Sequence, residues 1–250
     1  MNVEKQALIS LIDDDPSTLI TILGLTNKVD IRLSLKDLEI PPILCNSPPL
    51  ISVAIYLNAK KCISSLLIYH SNLNIVDDKG RAPIHFASAF GLTYVLDLLD
   101  KEGANMTAVD IKGKNILHYA ASFDRVVLFK WIISKKYNLE MKDGKWFTPL
   151  HFAVERKNLD LVNYILINNI IEQTPNKNGW TPILLAAKNN LTEIFKTLVQ
   201  HGGNCNLKNI YFRNLIYILS FSCLLFMFDV LFNILKFHFI MLVLMEIKKF

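Results

Sequence analysis

Three histidines recur at a fixed spacing and suggest a metal-binding hypothesis. His85, His118 and His151 lie 33 residues apart, so they fall on successive copies of a repeated unit. Neighbouring helices pack about 8–10 Å apart, whereas zinc needs its nitrogen ligands at about 2 Å. Three such side chains cannot share one ion without distorting the stack. The sequence therefore predicts no metal site, and we expect each histidine to form hydrogen bonds within or between the repeated units.

Other reactive side chains do not form a recognisable catalytic set. Cys205, His201 and His70 are not part of an ordered Cys/His/Asn arrangement. The chain has neither a GxxxxGKS/T phosphate loop nor a GxSxG nucleophile motif. The paired acids Asp77 and Asp78 lie in a predicted turn, where a role as solvated caps explains them. We therefore expect a non-catalytic protein that uses no cofactor.

The elements that position these side chains are five copies of one motif. Each copy begins with a short cap-and-proline segment, and successive copies are 33 or 34 residues apart. A pair of small residues follows, then an apolar cluster with helical spacing, and then a turn. The five segments are Pro48-Pro49-Leu50-Ile51, Ala82-Pro83-Ile84-His85, Asn115-Ile116-Leu117-His118, Thr148-Pro149-Leu150-His151 and Thr181-Pro182-Ile183-Leu184.

The residue types of one copy predict two helices. A threonine such as Thr148 can cap a helix, and the proline after it suits the first helical turn. The small pair lets two helices approach closely, and the later cluster gives the second helix one buried stripe. Glycine lets the chain leave that helix, and a D-x-x-G stretch forms a tight turn before the next copy. One unit cannot bury its own apolar face, whereas stacked units can.

With these motifs in register, the chain resembles the ankyrin-repeat family over residues 47–209. The resemblance implies an all-α solenoid of stacked helix–turn–helix units with short hairpin-like turns. It also implies a scaffold that binds another protein through the turns and the first helices. The candidate partner-binding residues are Arg81, Lys114, Trp146, Phe147, Lys177 and Trp180. Aromatic and basic side chains there suit a partner with acidic or apolar features, although an aromatic ring can instead pack against the neighbouring turn.

Several copies depart from the family pattern. Ile116 replaces the proline of the third copy, and Ile51 stands where histidine is usual in the first. The turns at 136–138 and 169–170 lack glycine, and the glycine of the turn at 143–146 is shifted. Loss of one favoured turn residue costs about 1 kcal/mol. We therefore expect an array that is less stable than a consensus array and that still folds as a stack.

Composition indicates the compartment and excludes one class of partner. The chain has 27 basic and 22 acidic residues, mixed along residues 1–209 rather than gathered on one face, so we expect no nucleic-acid partner. Its 4 cysteines are irregularly spaced, which favours neither a disulfide framework nor a zinc site. The acidic N-terminal stretch is unlike a secretory signal. These features predict a cytoplasmic protein.

The segments flanking the repeats differ in character. Residues 1–46 show two apolar stripes at helical spacing, with Asp15 as an N-cap before Pro16, and predict a helical cap for the first repeat. Residues 210–250 contain no Gly, Pro or Ala. Within them Leu215–Leu235 is long enough to span a bilayer, with Asp229 as its one charged residue. Three interpretations stay open for this segment: a membrane anchor, a degenerate sixth repeat, or a coding artefact.

Overall fold

The computed structural model describes residues 3–26, 30–33, 42–69, 71–137, 142–168, 170 and 174–203. These ranges contain twelve α-helices, a 3-10 helix and no β-strand, which confirms the predicted all-α repeat fold. The helices are α1 (Val3–Ile12), α2 (Pro16–Thr26), α3 (Leu50–Leu57), α4 (Lys60–Ile68), α5 (Pro83–Phe90), α6 (Thr93–Lys101), α7 (Ile116–Ser122), α8 (Val126–Ser134), α9 (Pro149–Glu155), α10 (Leu159–Ile167), α11 (Pro182–Lys188) and α12 (Thr192–Gln200); the 3-10 helix is Pro42–Leu44.

The chain divides into two compact units, Met1–Pro149 and Leu150–Phe250. Helices α1 to α8 belong to the first unit, and α10 to α12 belong to the second. Helix α9 begins at the boundary between them. Each unit is built from pairs of consecutive helices joined by a tight turn.

The tight turn inside each pair has one geometry throughout. A residue with positive φ begins the reversal: Asp14, Asn58, Gly91 and Asp124 in the first unit, and Lys157 and Asn190 in the second. The next backbone N–H donates to the carbonyl five residues earlier, as in Leu92 to Ala87 at 3.0 Å. The pair α1–α2 has the same turn, with Asp15 N–H donating to the Ser10 carbonyl at 2.9 Å. The N-terminal helices are therefore built like the repeats that follow them.

Capping side chains start several helices where the sequence predicts them. Asp15 Oδ1 accepts a hydrogen bond from the Ser17 N–H at 3.0 Å, which begins α2. Thr181 begins α11, with Pro182 at the first helical position. In the third copy, which lacks proline, Asn115 caps α7 by accepting from Leu117 N–H at 3.0 Å.

The core lies mainly along the first helices of the pairs. In α5, residues 83–89 are all buried, whereas α6 buries only one stripe formed by Val95, Leu96 and Leu99. Helix α5 packs against both α3 and α7. The small residues Ala87 and Ser88 permit this close approach, and the Ser88 hydroxyl donates to the Ile116 carbonyl at 2.6 Å. Because successive first helices stack, the connecting turns are also brought side by side within the unit.

Candidate protein-binding surface

In each of the last four helix pairs, one acceptor side chain organises the turn that precedes the first helix. Its Oδ1 atom accepts hydrogen bonds from the backbone N–H groups two and four residues later, at 2.8–3.0 Å. The four acceptors are Asp77, Asp110 and Asp143 in the first unit and Asn176 in the second. All four are buried, so the interpretation of Asp77 as a solvated cap is wrong. The Asp77 carboxylate is buried because it faces the backbone of its own turn and accepts hydrogen bonds from the N–H groups of Lys79 and Arg81.

In the first unit, backbone hydrogen bonds join the tips of these turns. Asp78 N–H donates to the Asn46 carbonyl at 3.0 Å, Ile111 N–H to Lys79 at 3.1 Å, and Gly144 N–H to Lys112 at 2.8 Å. The last contact is close: a Cβ at Gly144 would lie 2.8 Å from the Lys112 oxygen. Successive tips are therefore held at a fixed spacing by main-chain contacts, and Gly144 is the tip position at which this contact excludes a side chain.

Trp146 occupies a backbone position that the other turns give to glycine. Its φ is +63°, and the equivalent residues are Gly80, Gly113 and Gly179, with φ between +71° and +76°. A bulky residue is rare in this left-handed region. The side chain is nevertheless 50 % exposed, and the Lys142 ammonium lies 5.5 Å from its ring centroid. The shifted glycine of this turn, Gly144, instead serves the close contact with Lys112.

The other candidates of the first unit lie deeper than Trp146. Arg81 is 5 % exposed, contrary to the expected surface position, because its Nε donates to Asp77 at 2.7 Å and its guanidinium stacks on Phe86. Lys114 and Phe147 are half-buried. Their backbone N–H groups are held by Asp110 and Asp143.

In the second unit, Lys177 and Trp180 flank one turn. Lys177 is exposed, whereas Trp180 is half-buried, with the Lys188 ammonium 4.9 Å from its ring centroid. The Trp180 N–H donates to Asn176, and its carbonyl accepts from the His151 ring at 2.9 Å. The indole is half-buried beside Lys188 and leaves only part of its surface for a partner.

The histidines act as the sequence predicts, as hydrogen-bonding residues. His85 Nδ1 accepts from the Ala82 N–H at 3.0 Å, and its Nε2 donates to the Ala108 carbonyl at 3.1 Å. His118 Nε2 reaches the Phe147 carbonyl at 3.2 Å. Burial lowers the pKa of His85, which keeps the ring neutral so that one nitrogen can accept. No cluster of three or more metal-ligating side chains occurs in the described part of the chain.

The sequence indicated Lys79 and Lys112 as basic residues beside the candidate positions, but it did not single out Ile111. Ile111 is 69 % exposed at a turn tip, beside exposed Lys79 and Lys112. The signal was present in the repeat alignment, because the residue after each acceptor varies: Asp78, Ile111, Gly144 and Lys177. Variation at a structurally fixed position is typical of a recognition residue rather than a core residue.

No helix among the described residues is long and apolar enough to cross a membrane. The apolar segment 210–250 lies outside the described residues.

No curated protein shows a significant match to the chain. A family model of three consecutive ankyrin repeats matches residues 50–143 and again residues 117–209. Ankyrin repeats are generally protein-interaction modules. The two matches together cover more than half of the chain, so this protein belongs to the ankyrin-repeat family.

Proposed function

We propose that this protein is a non-catalytic scaffold that binds another protein through the turns of its first unit. The binding surface consists of the side chains of Lys79, Ile111, Lys112, Lys145 and Trp146, which we call the tip surface. All five are exposed, and their backbones are fixed by the acceptor side chains and by the hydrogen bonds between tips. A preformed surface loses little conformational freedom when a partner binds.

The observation that carries this proposal is the conformation of Trp146. Three equivalent turns place glycine where this turn holds an exposed tryptophan with φ of +63°. Backbone strain that the fold does not require is often retained at functional sites. Tryptophan is also the side chain most enriched among binding hot spots. A role in recognition therefore accounts both for the residue type and for its exposure.

The lysines of the tip surface define the chemistry of the partner. Lys79, Lys112 and Lys145 occupy the same position in three successive turns, two residues after each acceptor. A row of positive charges favours a partner with a complementary acidic surface and speeds its association. Lys114 and Phe147 would contribute at the edge of this surface. Lys177 and Trp180 form a separate candidate site on the second unit.

The test compares the loss of an apolar tip side chain with the loss of one elsewhere. Trp146→Asn removes the indole, and asparagine tolerates the left-handed conformation of this turn. Val127→Ser is the matched control, because Val127 is 79 % exposed on the second helix α8. Proteins captured by the full chain would be quantified by mass spectrometry and the binding then repeated with purified components.

We expect a specific partner to lose at least about tenfold in affinity with Trp146→Asn, a typical hot-spot effect, and to bind Val127→Ser like the wild type. Ile111→Ser should weaken the same partner. Partners that bind all three variants equally would refute the tip surface as the docking site. Circular dichroism of each variant would show whether the fold is retained.

We propose, as a second and separate role, that residues 210–250 tether the protein to a membrane. The support is sequence alone: a largely apolar stretch from 215 to 235, in which Asp229 is the one charged residue, is followed by Lys248 and Lys249. A helix of this length is about 30 Å long, the thickness of a bilayer core. The terminal lysines suit a cytoplasmic headgroup surface.

Alkaline carbonate extraction would test the tether with a reporter fused to residues 210–250. A membrane anchor keeps the reporter in the pellet and releases it in detergent. A pellet that detergent cannot dissolve is aggregate and contradicts the tether. The tip surface lies on the first unit and does not include residues 210–250. The result of this extraction therefore neither supports nor contradicts the scaffold proposal.

A further inference from the structure

A pocket of about 190 Å³ opens beside the tip surface of the first unit. It lies between two neighbouring turns and the end of helix α7. Basic side chains of the turns form one part of its wall, and the last residues of α7 with the turn that follows form another. The residues that define it are Lys79, Ile111, Lys112, Lys114, Ser122 and Phe123.

The lining of this pocket carries an excess of positive charge. With Arg81, which also lines the pocket, it includes four basic residues, and it has one acidic residue, Asp110. The Asp110 carboxylate already has hydrogen-bond donors. Its Oδ1 accepts hydrogen bonds from two backbone N–H groups, and its Oδ2 accepts a hydrogen bond from the Tyr119 hydroxyl, with the two oxygens 2.9 Å apart. Burial and the Asp110 charge raise the pKa of Tyr119, so this phenol remains a donor. The Arg81 charge is balanced by Asp77.

The ammonium groups of Lys79 and Lys112 are not offset in this way. Neither forms an ion pair with an acidic side chain in the part of the chain that the structure describes. Both lysines are exposed at the pocket mouth. An anionic group entering the pocket would therefore meet two positive charges without having to displace an existing carboxylate.

The wall of the pocket supplies a hydroxyl group and apolar contacts. Ser122 is 9 % exposed, and its hydroxyl has no hydrogen-bond partner among the described groups. A buried donor without a partner is destabilising, and a ligand oxygen reached by rotating the side chain would remove that cost. Ile111 and Phe123 give the pocket an apolar rim, which suits the methylene groups of a side chain rather than a bare inorganic anion.

We propose that this pocket receives the carboxylate side chain of an acidic residue in a partner protein. The inference deepens the scaffold proposal and rests on it, since it names the chemistry that the tip surface recognises. The ammonium groups of Lys79 and Lys112 bind the carboxylate, the Ser122 hydroxyl donates to it, and Ile111 and Phe123 contact its methylenes. A glutamate next to an apolar residue supplies both the carboxylate and the methylenes that these side chains would contact.

The probe is a pair of peptides, acetyl-Leu-Glu-Leu-amide and its glutamine counterpart, titrated into the isotope-labelled full chain and followed by NMR. We expect the glutamate peptide to shift the signals of Ile111, Ser122 and Phe123 and to bind several times more tightly than the glutamine peptide. Inorganic phosphate is the third probe, because it carries negative charge without methylenes. Phosphate binding as tight as the glutamate peptide would overturn the assignment to a side-chain carboxylate.

Three variants separate the pocket from general attraction to a basic protein. Lys112→Gln should weaken glutamate-peptide binding on the order of two- to fivefold, the usual range for one exposed charge pair. Lys101→Gln makes the same change of net charge on helix α6 and should have no effect. Ser122→Ala leaves the charge unchanged and should also weaken binding.

Equal effects of Lys112→Gln and Lys101→Gln would overturn the pocket as the binding site, and so would unchanged binding in Ser122→Ala. Failure of the pocket proposal can be distinguished from failure of the scaffold proposal. A protein partner that depends on Trp146 but ignores Lys112 and Ser122 refutes the pocket alone. Glutamate-peptide binding in the pocket without any Trp146-dependent partner supports the pocket and refutes the role proposed for Trp146.

Discussion

At the scale of single residues, Trp146 combines an unfavourable backbone conformation with an exposed aromatic ring. A side chain in the left-handed region costs on the order of 1–2 kcal/mol, and glycine avoids this cost. We predict that Trp146→Gly raises the free energy of unfolding by about 1 kcal/mol, as measured by urea denaturation, while it abolishes binding of the partner. A variant that is less stable than the wild type would show that the ring contacts outweigh the backbone strain.

His85 makes stability depend on pH. Burial lowers the pKa of this histidine below its ordinary value of 6.5, although nearby Asp110 acts in the opposite direction. Below that pH the unfolded chain therefore takes up a proton that the folded protein resists, so the free energy of unfolding falls as the pH falls. We predict that His85→Gln, which cannot titrate, loses less stability than the wild type between about pH 7.5 and about pH 5.5.

Urea denaturation of both proteins at the two pH values would measure this difference. His85→Gln is expected to be less stable at the higher pH, because it loses the hydrogen bonds to Ala82 and Ala108. The informative quantity is therefore the change with pH in each protein. Equal losses would mean that the His85 ring contributes nothing to the pH dependence.

At the scale of structural elements, the contact between neighbouring turns can be tested through one glycine. An added methyl group at Gly144 would lie 2.8 Å from the Lys112 carbonyl oxygen, across a hydrogen bond of 2.8 Å. We predict that Gly144→Ala lowers the free energy of unfolding by about 1–2 kcal/mol, because the tips must separate and the bond is lost. Thermal and urea denaturation would measure the change.

Gly24 provides the matched control for that substitution. It lies in helix α2, and a methyl group added there would have no heavy atom within 4 Å. Gly24→Ala should therefore stabilise the protein by about 0.5–1 kcal/mol, because alanine loses less freedom on entering a helix. Two identical substitutions with opposite signs would isolate the contact between the tips; the same sign for both would contradict this account.

The helices were predictable from sequence because their signals are local. A cap followed by proline, as in Asp15-Pro16 and Thr181-Pro182, marks a helix start whatever surrounds it. Trp146, the left-handed residue of the turn at 143–146, was not predictable in this way. Its place is fixed by distance from the acceptor Asp143, and the sequence pattern instead drew attention to Gly144. In these turns the position of the left-handed residue is set by its distance from the residue that accepts the hydrogen bonds. The position of a glycine in the sequence does not set it.

The candidate site was predictable only where one repeat sufficed to define it. Trp146 could be identified from its own turn, and its exposure agrees with that expectation. Arg81 stands one position further along its own turn than the glycine equivalent to Trp146, and it is buried because Asp77 is aligned with its guanidinium. The pocket joins Lys79 and Lys112 from different turns with Ser122 from a helix end. Such a juxtaposition is set by stacking and has no signal within a single copy.

At the scale of the whole molecule, repeat proteins transmit stability mainly between neighbours. Asp14 joins the N-terminal helix pair to the next one, since its carboxylate accepts from Cys62 N–H at 3.0 Å and Lys61 N–H at 3.3 Å. Burial alone would raise the pKa of Asp14, but these hydrogen bonds outweigh it, and the net pKa is lowered. The carboxylate is therefore stabilised as the cap of helix α4.

We predict that Asp14→Gly destabilises the N-terminal end of the chain selectively. Glycine keeps the positive φ of this residue and removes the carboxylate. Aspartate tolerates that conformation better than tryptophan does, so loss of the cap dominates, at an expected net cost of about 1 kcal/mol. Hydrogen–deuterium exchange should become faster in α1, α2 and α4 and stay nearly unchanged in α11 and α12. Uniformly faster exchange in all of these helices would show that the chain unfolds as one cooperative block.

The acceptor-organised turn separates the residues that fold the protein from those that can recognise a partner. Asp77, Asp110 and Asp143 hold the main chain, whereas the lysine two positions after each acceptor contributes its backbone alone to that arrangement. Randomising Lys79, Lys112 and Lys145 together would thus generate a combinatorial library of folded proteins with new surfaces. Evolution has the same freedom: the partner can change by substitution at the tips while the scaffold stays as it is.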